Sequence, residues 1–473
     1  EMSASLVGSE MCIRDRLDTL PFLPEKFLYE VIPGVKKQFD TVSYLLNRED
    51  VDTIYICTDS GREGEYIYRL VDQMAQVSAN KKKLRVWIDS QTEEEILRGI
   101  REAKPMAEYD NISSSAYLRA KEDYLMGINF SRVLSLKYGF WLNDTLKGQK
   151  WTSVSVGRVM TCVLGMVVKR EMQIRDFVKT PFYRVIGNFE LQGKKFQGEW
   201  KAVEGSKYYQ SPALYKENGF KEKENALALI DSLMQPEPVL SEIEQVAKKK
   251  EKKNPPLLFN LAELQNTASK LFKISPDETL SVVQELYEKK LVTYPRTDAR
   301  VLSTPVAKEI HKNISPLRGY EPTSDFVEQI LDRKLYGNIA GTQYTDDAKV
   351  TDHYAIIPTG QLTELGKLNA LQKSVFDLIV RRFLSVFYPA AEYQNVKMTA
   401  VVDVGENKER FYASARVLKT PGYLEIAGIP KKEEEDSDPK ELLHLADQLK
   451  KGDEISVDGY EVKEGKTSPP KRY

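Results

Sequence analysis

Four short segments of this 473-residue chain carry side chains that could take part in chemistry, and the first is an acidic turn. The turn, TDSGREGE at 58–65, contains Asp59, Glu63 and Glu65 with two glycines among them. Glycine lets a backbone approach a ligand closely, and clustered carboxylates suit Mg²⁺, which takes one or two carboxylates plus water and phosphate oxygens. An acidic first helical turn that only favours the helix dipole has the same pattern. Spacing alone therefore leaves a metal site and a structural turn both open.

The second segment is LVTYPRTDAR at 291–300. Pro295 pushes Tyr294 toward an extended backbone, and side chains two residues apart in an extended segment share a face, so Arg296 is predicted to point the same way. A guanidinium favours the phenolate of a nearby tyrosine and can hold a phosphate by paired hydrogen bonds. This pair suits phosphoryl transfer. The chain has 25 tyrosines, however, and most tyrosines simply pack with the hydroxyl hydrogen-bonded.

The third and fourth segments are TDHYAIIPTG at 351–360 and SVSVGRVMTC at 153–162. His353 is one of three histidines and precedes an apolar run, so a half-buried, hydrogen-bonded histidine is the default interpretation. Arg158 follows a Ser/Gly turn whose backbone amides could hold a phosphate. Each motif alone is a weak indication of a phosphate site.

The pattern around the acidic turn predicts an α/β unit. The turn follows a β-rich run at 51–57 and precedes helical apolar spacing from residue 65, which places Asp59 where a strand ends. Ligands usually bind at this position in open α/β sheets. LRVWI at 84–88 is a second predicted strand, and Thr92 with Glu95 has the spacing of a capping box at the start of the next helix.

The rest of the chain alternates between helical and β patterns. Residues 111–180 are predicted to be mostly helical. Period-two alternation then appears in the segments 182–190, 195–203, 394–404 and 410–418. A helical block, 256–387, separates the two β stretches, which indicates one β domain interrupted by a helical one. The run AKKKEKKNPP at 247–256 is interpreted as a linker, and 431–440 as a solvated loop.

Composition excludes some classes of protein but leaves the partner open. Lys and Arg (69) nearly balance Asp and Glu (70), so whole-chain charge gives no hint of nucleic acid, although basic residues can still concentrate in one groove. The cysteines Cys12, Cys57 and Cys162 form no CxxC pair, which argues against a disulfide framework or structural zinc and fits a reducing cytoplasm. No apolar run reaches the ~18 residues of a membrane span, which predicts a soluble protein. No GxxxxGK[ST] loop for ATP is present.

In this order the motifs resemble those of the type IA DNA topoisomerases, specifically the bacterial topoisomerase III branch. TDSGREGE resembles the acidic turn of the TOPRIM domain, and RAKEDYLMGINFSRVLS at 119–135 a DNA-contacting helix of the gate base. SVGRVM resembles the single-strand contact loop, LVTYPRTDARVLS the nucleophile motif and TDHYAIIPTG the histidine motif. The likeness extends from Leu17 to Tyr473.

The resemblance implies a multidomain fold of α/β, α and β parts that encloses a DNA-sized hole. The expected parts are a TOPRIM α/β domain, a helical base, a β-rich arch and a helical domain that carries the tyrosine. The predicted segments are, in order, a non-native-looking leader (1–16), an incomplete TOPRIM domain (17–112) and the gate base (113–180, completed by 436–473). The arch is predicted at 181–250 and 388–430, and the tyrosine domain at 256–387. The chain is expected to be a fragment at both ends.

The resemblance also implies a role for each motif. Tyr294 would attack a DNA backbone phosphate and keep the 5′-phosphoryl end, Arg296 would stabilise the charge that develops there, and His353 would orient the phosphate or the leaving 3′ oxygen. Asp59 and Glu63 would hold Mg²⁺, with Glu63 also a proton-transfer partner. The DNA-binding residues would be Asp123, Arg132, Ser155, Val156, Gly157, Arg158, Val159, Met160 and Arg296.

The implied enzyme is a monomeric, cytoplasmic, nucleoid-associated protein that relaxes or decatenates DNA without ATP by passing a strand or duplex through a cut single strand. Three departures from the family pattern weaken this expectation. Gly61 stands where many relatives have Asp, Met160 replaces a usual Gln, and the family's first strand, with its catalytic Glu beside a Lys, has no counterpart before Leu17. We therefore expect weak or absent relaxation. The alternatives are a TOPRIM nuclease without a tyrosine nucleophile and a non-catalytic DNA-binding fragment.

Overall fold

The computed structural model describes the backbone strand 4–6 and residues 17–88, 93–146, 153–191, 193–235, 241–350, 353–428 and 439–473. The predicted leader (apart from that strand), the predicted cap Thr92 and the predicted loop up to residue 438 lie outside the described residues. The chain divides into two compact units: a first unit of 1–169 with 257–380, and a second unit of 170–256 with 381–473.

An α/β segment opens the first unit. Its elements are β1 (Ala4–Leu6), β2 (Tyr29–Val31), α1 (Lys36–Asn47), β3 (Thr53–Ile56), α2 (Arg62–Ala75), β4 (Lys82–Arg85), α3 (Glu93–Arg101) and β5 (Lys104–Pro105). β3 and β4 are parallel, as expected for strands joined through a helix, and β5 is antiparallel to β4. Ile54, Ile56 and Tyr68 are buried in the core of this segment.

The predicted strand, turn and helix around the acidic turn are confirmed, but α2 begins earlier than predicted. Gly61 is the residue before the helix, in an extended conformation, and its carbonyl accepts the Glu65 N–H at 3.1 Å. The helix therefore starts at Arg62 rather than residue 65. Glu63 and Glu65 consequently lie in its first turn, where carboxylates interact favourably with the helix dipole.

Two helices follow, as predicted for 111–180. They are α4 (Asp110–Thr145) and α5 (Arg158–Arg175). The segment 153–157, which leads into α5, belongs to the Ser/Gly turn identified in the sequence. No helix in the described part of the chain is long and apolar enough to cross a membrane.

The next elements belong to the second unit. They are β6 (Pro181–Leu191), β7 (Lys194–Lys201), β8 (Leu214–Lys216), β9 (Gly219–Phe220), α6 (Lys223–Met234) and β10 (Ser241–Lys253). Alternate residues of β7 are buried, in agreement with the period-two pattern of its sequence. Phe189, Phe196 and Trp200 from β6 and β7 are central to the core of this unit.

The helical block that carries Tyr294 contains α7 (Leu261–Phe272), α8 (Pro276–Glu288), α9 (Thr304–Glu309), α10 (His311–Ile314), α11 (Ser324–Asp332) and α12 (Ala370–Ser385). Side-chain caps fix where the first two helices begin. Asn260 accepts the Glu263 N–H at 2.9 Å, and Ser275 accepts the Glu278 N–H at 3.1 Å. Each such cap contributes about 1 kcal/mol. The second of them determines the start of α8, the helix that leads to Tyr294.

The second unit is completed by β11 (Ala391–Val404), β12 (Asn407–Thr420), α13 (Leu424–Ala427), α14 (Pro439–Gln448) and β13 (Ser456–Lys466). One eight-stranded sheet joins the strands on either side of the helical block, in the order β10-β11-β12-β7-β6-β9-β8, with β13 paired to β6. The chain thus leaves this sheet after β10 and returns to it at β11.

Two interpretations from the sequence are wrong in this unit. The lysine-rich run at 247–253 is the end of β10, hydrogen-bonded antiparallel to β11, because lysines at exposed positions of a strand can remain in water while the backbone pairs. The segment 456–466, expected to complete a helical base, is β13. Its Val457, Tyr460 and Val462 pack against the core of the sheet, and this burial favours a strand there.

Candidate active site

A fully buried arginine shapes the acidic turn. Arg85, at the end of β4, donates from Nη1 to the carbonyls of Ile56 (3.0 Å) and Thr58 (2.7 Å) and from Nη2 to that of Asp59. Its Nε donates to Glu65 at 2.9 Å. One guanidinium therefore binds both the loop after β3 and the first turn of α2, which fixes the backbone that carries Asp59.

Glu65 is also fully buried and has a structural role in the folded chain. Besides Arg85, its carboxylate accepts from Arg69 Nε at 2.8 Å. Arg69 in turn binds Asp110 at 2.8 Å and the Met106 carbonyl at 2.7 Å. A buried carboxylate needs such partners to offset its lost hydration. Glu65 therefore anchors α2 to the residues that precede and begin α4.

Gly64 explains why the turn is so tight. A Cβ atom at this position would lie 2.1 Å from the Asp59 carbonyl oxygen, a distance that no side chain tolerates. The Thr58 hydroxyl also donates to the Gly64 carbonyl at 2.8 Å. The loop that ends at Asp59 is thus packed directly on the α2 backbone.

Long-range hydrogen bonds bring Tyr294 and His353 together. The Thr293 N–H donates to the Ile357 carbonyl at 2.9 Å, and the Ile357 N–H donates to the Thr293 hydroxyl at 3.0 Å. The Thr297 hydroxyl donates to the His353 carbonyl at 2.7 Å. The two motifs are therefore held side by side, although 59 positions separate Tyr294 from His353 in the sequence.

Tyr294, His353 and Asp59 form one cluster. The centroids of the Tyr294 and His353 rings are 4.5 Å apart, and Tyr287 packs edge-on against Tyr294 at 5.3 Å. His353 Nε2 lies 3.9 Å from Asp59 Oδ2, which is an ion-pair distance rather than a direct hydrogen bond. The imidazole of His353, followed by the charge of Arg85, lowers the pKa of Asp59. The carboxylate is thereby favoured at this position.

The cluster faces a cavity of about 570 Å³. Residues of the acidic turn line one part of it, and the end of α8 with the Tyr294 and His353 motifs lines another. The charged side chains in its lining are those of Asp59, Glu288 and Lys290, beside the ionisable His353. The first unit therefore has a space in which a phenol, an imidazole and a carboxylate can reach the same ligand.

Arg296 does not line the cavity with Tyr294, although the sequence predicted that the two side chains point the same way. The residue is exposed and is not among those that line the cavity. The reason is a turn, in which the Thr297 N–H donates to the Pro295 carbonyl at 3.0 Å, so the chain is not extended through Arg296. The expectation based on i, i+2 spacing fails at this point.

The ion pairs of Glu63 are with arginines outside this cluster. Its side chain is 67% exposed, and Oε1 accepts from Arg119 at 2.8 Å and lies 4.0 Å from Arg62 Nε. Among the described residues no group of three or more His, Cys, Asp and Glu side chains could hold a metal ion. Asp59 fits as one carboxylate ligand of a Mg²⁺ that keeps water and phosphate oxygens. Glu63 fits as a second only if it leaves Arg119.

Arg119 and Glu122, which sequence reasoning missed, complete a charge network with two predicted residues. Asp123 Oδ1 lies 3.0 Å from Arg158 Nε, and Arg158 Nη1 donates to Glu122 at 3.0 Å. Arg119 lies 3.9 Å from Asp123 and also binds Glu63. The i, i+4 spacing of Arg119 and Asp123 on α4 was the available signal. Two arginines of this network, together with Arg62, line a second cavity of about 550 Å³.

Backbone amides of the Ser/Gly turn already donate hydrogen bonds within the protein. Three of them donate to hydroxyl groups at 2.7, 2.8 and 3.2 Å, which holds the turn against α4 and caps α5. The pairs are Val154 with Ser135, Val156 with Ser131, and Gly157 with Thr161. A phosphate grip by these amides, as the sequence suggested, would have to displace them.

The remaining predicted DNA-binding residues differ in exposure. Ser155 is exposed, and Val159 and Met160 at the start of α5 are 65% and 76% exposed. Arg132 on α4 is half-buried, and its Nη1 atom is buried without a hydrogen-bond partner among the described residues. The exposed apolar pair is available for contact with a ligand, whereas the Arg132 Nη1 atom is buried.

Comparisons with known proteins identify the family to which the chain belongs. The family model described as DNA topoisomerase matches residues 107–473. DNA topoisomerase 3 of Bacillus subtilis (strain 168) is 34% identical over 459 residues, 97% of this chain and 58% of that protein. DNA topoisomerase 3 of Shouchella clausii (strain KSM-K16) is 31% identical over 460 residues, 97% of this chain and 57% of that protein. The chain thus spans somewhat more than half the length of these relatives.

A solved structure, full-length topoisomerase I from Thermotoga maritima, matches 99% of this chain and 68% of its own with a TM-score of 0.57 and 21% identity. At this identity the likeness shows the fold alone, a mixed α/β architecture. The family match extends over more than three quarters of the chain and includes the Tyr294 and His353 motifs. The resemblance to type IA enzymes of the topoisomerase III branch is thereby confirmed, and the chain belongs to the DNA topoisomerase family.

Proposed function

We propose that this chain carries the cleavage and rejoining centre of an ATP-independent type IA DNA topoisomerase. The Tyr294 phenolic oxygen attacks a phosphodiester of a single DNA strand. A bond forms between that oxygen and phosphorus, the bond from phosphorus to the 3′ oxygen breaks, and the phenolic proton ends on the 3′ hydroxyl. Rejoining is the reverse reaction, and because one ester replaces another, neither direction needs fuel. The observation that carries the proposal is the meeting of Tyr294, His353 and Asp59 at one cavity.

His353 is suited to a role between the phenol and the carboxylate. Its ring contacts that of Tyr294, and its Nε2 faces Asp59. Its imidazole lies beside the Tyr294 ring, where a positive charge would favour the phenolate and an N–H could donate to the phosphate. Arg296 lies on the exposed side of the same segment, so we assign it to phosphate contact outside the cavity.

Mg²⁺ fits the acidic turn with Asp59 as its first carboxylate ligand. Arg85 and Gly64 fix the backbone of Asp59, so its carboxylate is positioned before any ion binds. Glu63 is the second candidate ligand and proton-transfer partner, after its release from Arg119. When bound there, the ion would neutralise charge that develops on the phosphate oxygens.

The exposed charge network is the proposed path of the single strand toward Tyr294. Arg119 and Arg158 hold carboxylates in the free chain and are suited to exchange them for DNA phosphates. Arg132 Nη1 is a buried donor that no described residue accepts from, and Val159 with Met160 presents apolar surface on which bases can pack. The predicted domain layout with a DNA-sized hole, without 456–466 as part of the helical base, belongs to this proposal. The passed strand or duplex, the monomeric state and the nucleoid-associated cytoplasmic location belong to it as well.

A covalent trapping assay tests the proposal. The chain is incubated with a single-stranded oligonucleotide labelled on the 3′ side of the cleavage site, with and without Mg²⁺, and then denatured. We expect a labelled protein band that proteolysis reduces to a peptide containing Tyr294. Tyr294→Phe should abolish the band, whereas the control Tyr287→Phe, which removes a neighbouring hydroxyl from the same cavity, should retain it.

The same assay separates the two alternatives. Metal-dependent nicking that persists in Tyr294→Phe without an adduct would indicate a TOPRIM nuclease that uses the carboxylates alone. Oligonucleotide binding with neither adduct nor nicking would indicate a DNA-binding fragment. Either result would overturn the proposed role of Tyr294.

A further inference from the structure

Lys290 occupies an unusual position at the end of the helix that leads to Tyr294. Its backbone is left-handed, with φ of +60°, a conformation that side chains other than glycine seldom adopt. Two hydrogen bonds fix it there: the Lys290 N–H donates to Tyr287 at 2.7 Å, and the Leu291 N–H to Leu286 at 2.9 Å. Glycine is the usual residue at such a helix end. A lysine therefore occupies a position where the backbone alone would favour glycine.

The backbone of Lys290 is also held from the side of the His353 motif. The Thr359 hydroxyl donates to the Lys290 carbonyl, and the Thr359 N–H donates to the Leu291 carbonyl at 3.0 Å. Leu291 itself is fully buried. The origin of the lysine side chain is thus fixed relative to both catalytic motifs.

Among the residues that line the Tyr294 cavity in the described chain, Lys290 is the only lysine or arginine. The other fixed charges in the lining, Asp59 and Glu288, are negative and would repel a phosphate. Arg296 lies outside the lining. Lys290 is exposed, and no ion pair is formed by its ammonium group within the part of the chain that the structure describes. The Lys290 ammonium group is therefore the positive charge available to a DNA phosphate in this cavity.

We propose that Lys290 binds a phosphodiester of the cut strand inside the cavity and so positions the strand for Tyr294. This inference rests on the proposed function and adds a residue to the site. Lysine is a flexible point charge rather than a two-pronged donor, so Lys290 would hold a phosphate without selecting a base. It acts by placing the strand, and no covalent step passes through it.

The chain supplies a matched control for this residue. Lys273 ends α7 with the same φ of +60°, is exposed, and is not among the residues that line the cavity. A lysine with a left-handed backbone at a helix end therefore does not by itself indicate a phosphate-binding site. The difference between the two positions is the cavity, and replacing each lysine by glycine isolates that difference.

The test compares Lys290→Gly, Lys273→Gly and Lys290→Arg by oligonucleotide binding in EDTA over a range of salt concentrations. Both glycine variants should melt no lower than the original chain, because glycine suits the left-handed backbone. Only Lys290→Gly should weaken binding, by about tenfold at low salt, the size expected for one charged hydrogen bond. The slope of log affinity against log salt should fall by about 0.7, equivalent to one phosphate contact on a single strand. Lys290→Arg should restore both values.

Two results would overturn the inference. One is an unchanged affinity and salt slope for Lys290→Gly. The other is an equal loss for Lys273→Gly, which would show that the cavity is not involved. Adduct formation by the unaltered chain is scored separately, so failure of the proposed cleavage is distinguishable from failure of the phosphate site.

Discussion

Two glutamates in the first turn of α2 have opposite environments, and the contrast explains how the acidic turn is built. Glu65 is fully buried beneath the turn, between Arg85 and Arg69. Glu63, two residues away, is 67% exposed and faces Arg119. We call the first group the floor of the turn (Glu65, Arg85, Arg69) and the second its rim (Glu63, Arg119, Asp123, Arg158).

The same kinds of ion pair have different consequences in these two places. In the floor, a carboxylate removed from water must keep its partners, and losing one leaves a buried charge uncompensated. In the rim, ions remain hydrated and exposed pairs contribute at most about 1 kcal/mol. The floor therefore fixes the backbone at Asp59, while the rim can exchange its partners for a ligand at little cost in stability.

The largest effect is expected when the floor is broken. Arg85→Met should lower the free energy of unfolding by about 3–5 kcal/mol, because Glu65 stays buried with only Arg69 and the carbonyls of the loop lose their donor. Urea unfolding measures this change. The double variant Arg85→Met/Glu65→Met should regain part of the loss, whereas the rim variant Glu63→Gln should change stability by less than about 0.5 kcal/mol. Equal losses for the two single variants would remove the distinction between floor and rim.

A change in the rim should affect DNA binding rather than folding. Arg119→Ala and Arg158→Ala should each shift stability by less than about 0.5 kcal/mol and lower the salt slope of single-strand binding by about 0.7. Arg98→Ala is the control, because Arg98 is similarly exposed and pairs with Glu95 and Glu102 on α3. Titration of a fluorescent oligonucleotide at several salt concentrations gives the slope. A slope that does not change for either rim arginine would contradict the proposed strand path.

The sequence predicted the rim and the cluster better than the floor. The motifs that contain Tyr294, His353 and Asp59 were each weak indications alone, and their roles followed only from the resemblance to the family. The order of strands and helices around them was predictable because apolar periodicity is local. Arg85 was missed because it lies in LRVWI, a run that reads as a buried apolar strand, and nothing local indicates that its guanidinium binds a loop 26 positions earlier. Arg296 was misplaced because one turn after Pro295 breaks the i, i+2 rule. The pairing of β10 with β11 depends on residues about 150 positions apart, beyond any local pattern.

The smallest predicted effect concerns Asp59, which is attached to the floor by its backbone and reaches the cavity with its side chain. His353 lowers the pKa of Asp59 in the folded chain below the ~3.9 of an unfolded aspartate. Between the two pKa values the unfolded state therefore binds more protons than the folded state. The ionised Asp59 carboxylate stabilises the folded state fully above ~3.9, and this stabilisation disappears as the pH falls through the lower pKa of the folded chain. Because the side chain is 63% exposed, the contribution is under about 1 kcal/mol.

Unfolding free energies of the original chain and Asp59→Asn should therefore differ near neutral pH and converge in acid. Urea unfolding between about pH 6 and about pH 2 measures the difference, which should shrink only below ~3.9. His353→Gln, which removes the ionisable ring, should eliminate most of this pH-dependent difference, since the imidazole is the largest cause of the lowered pKa. A difference that stays constant into acid would mean that Asp59 acts through its shape and backbone alone, and that its carboxylate has no electrostatic partner before DNA or metal binds.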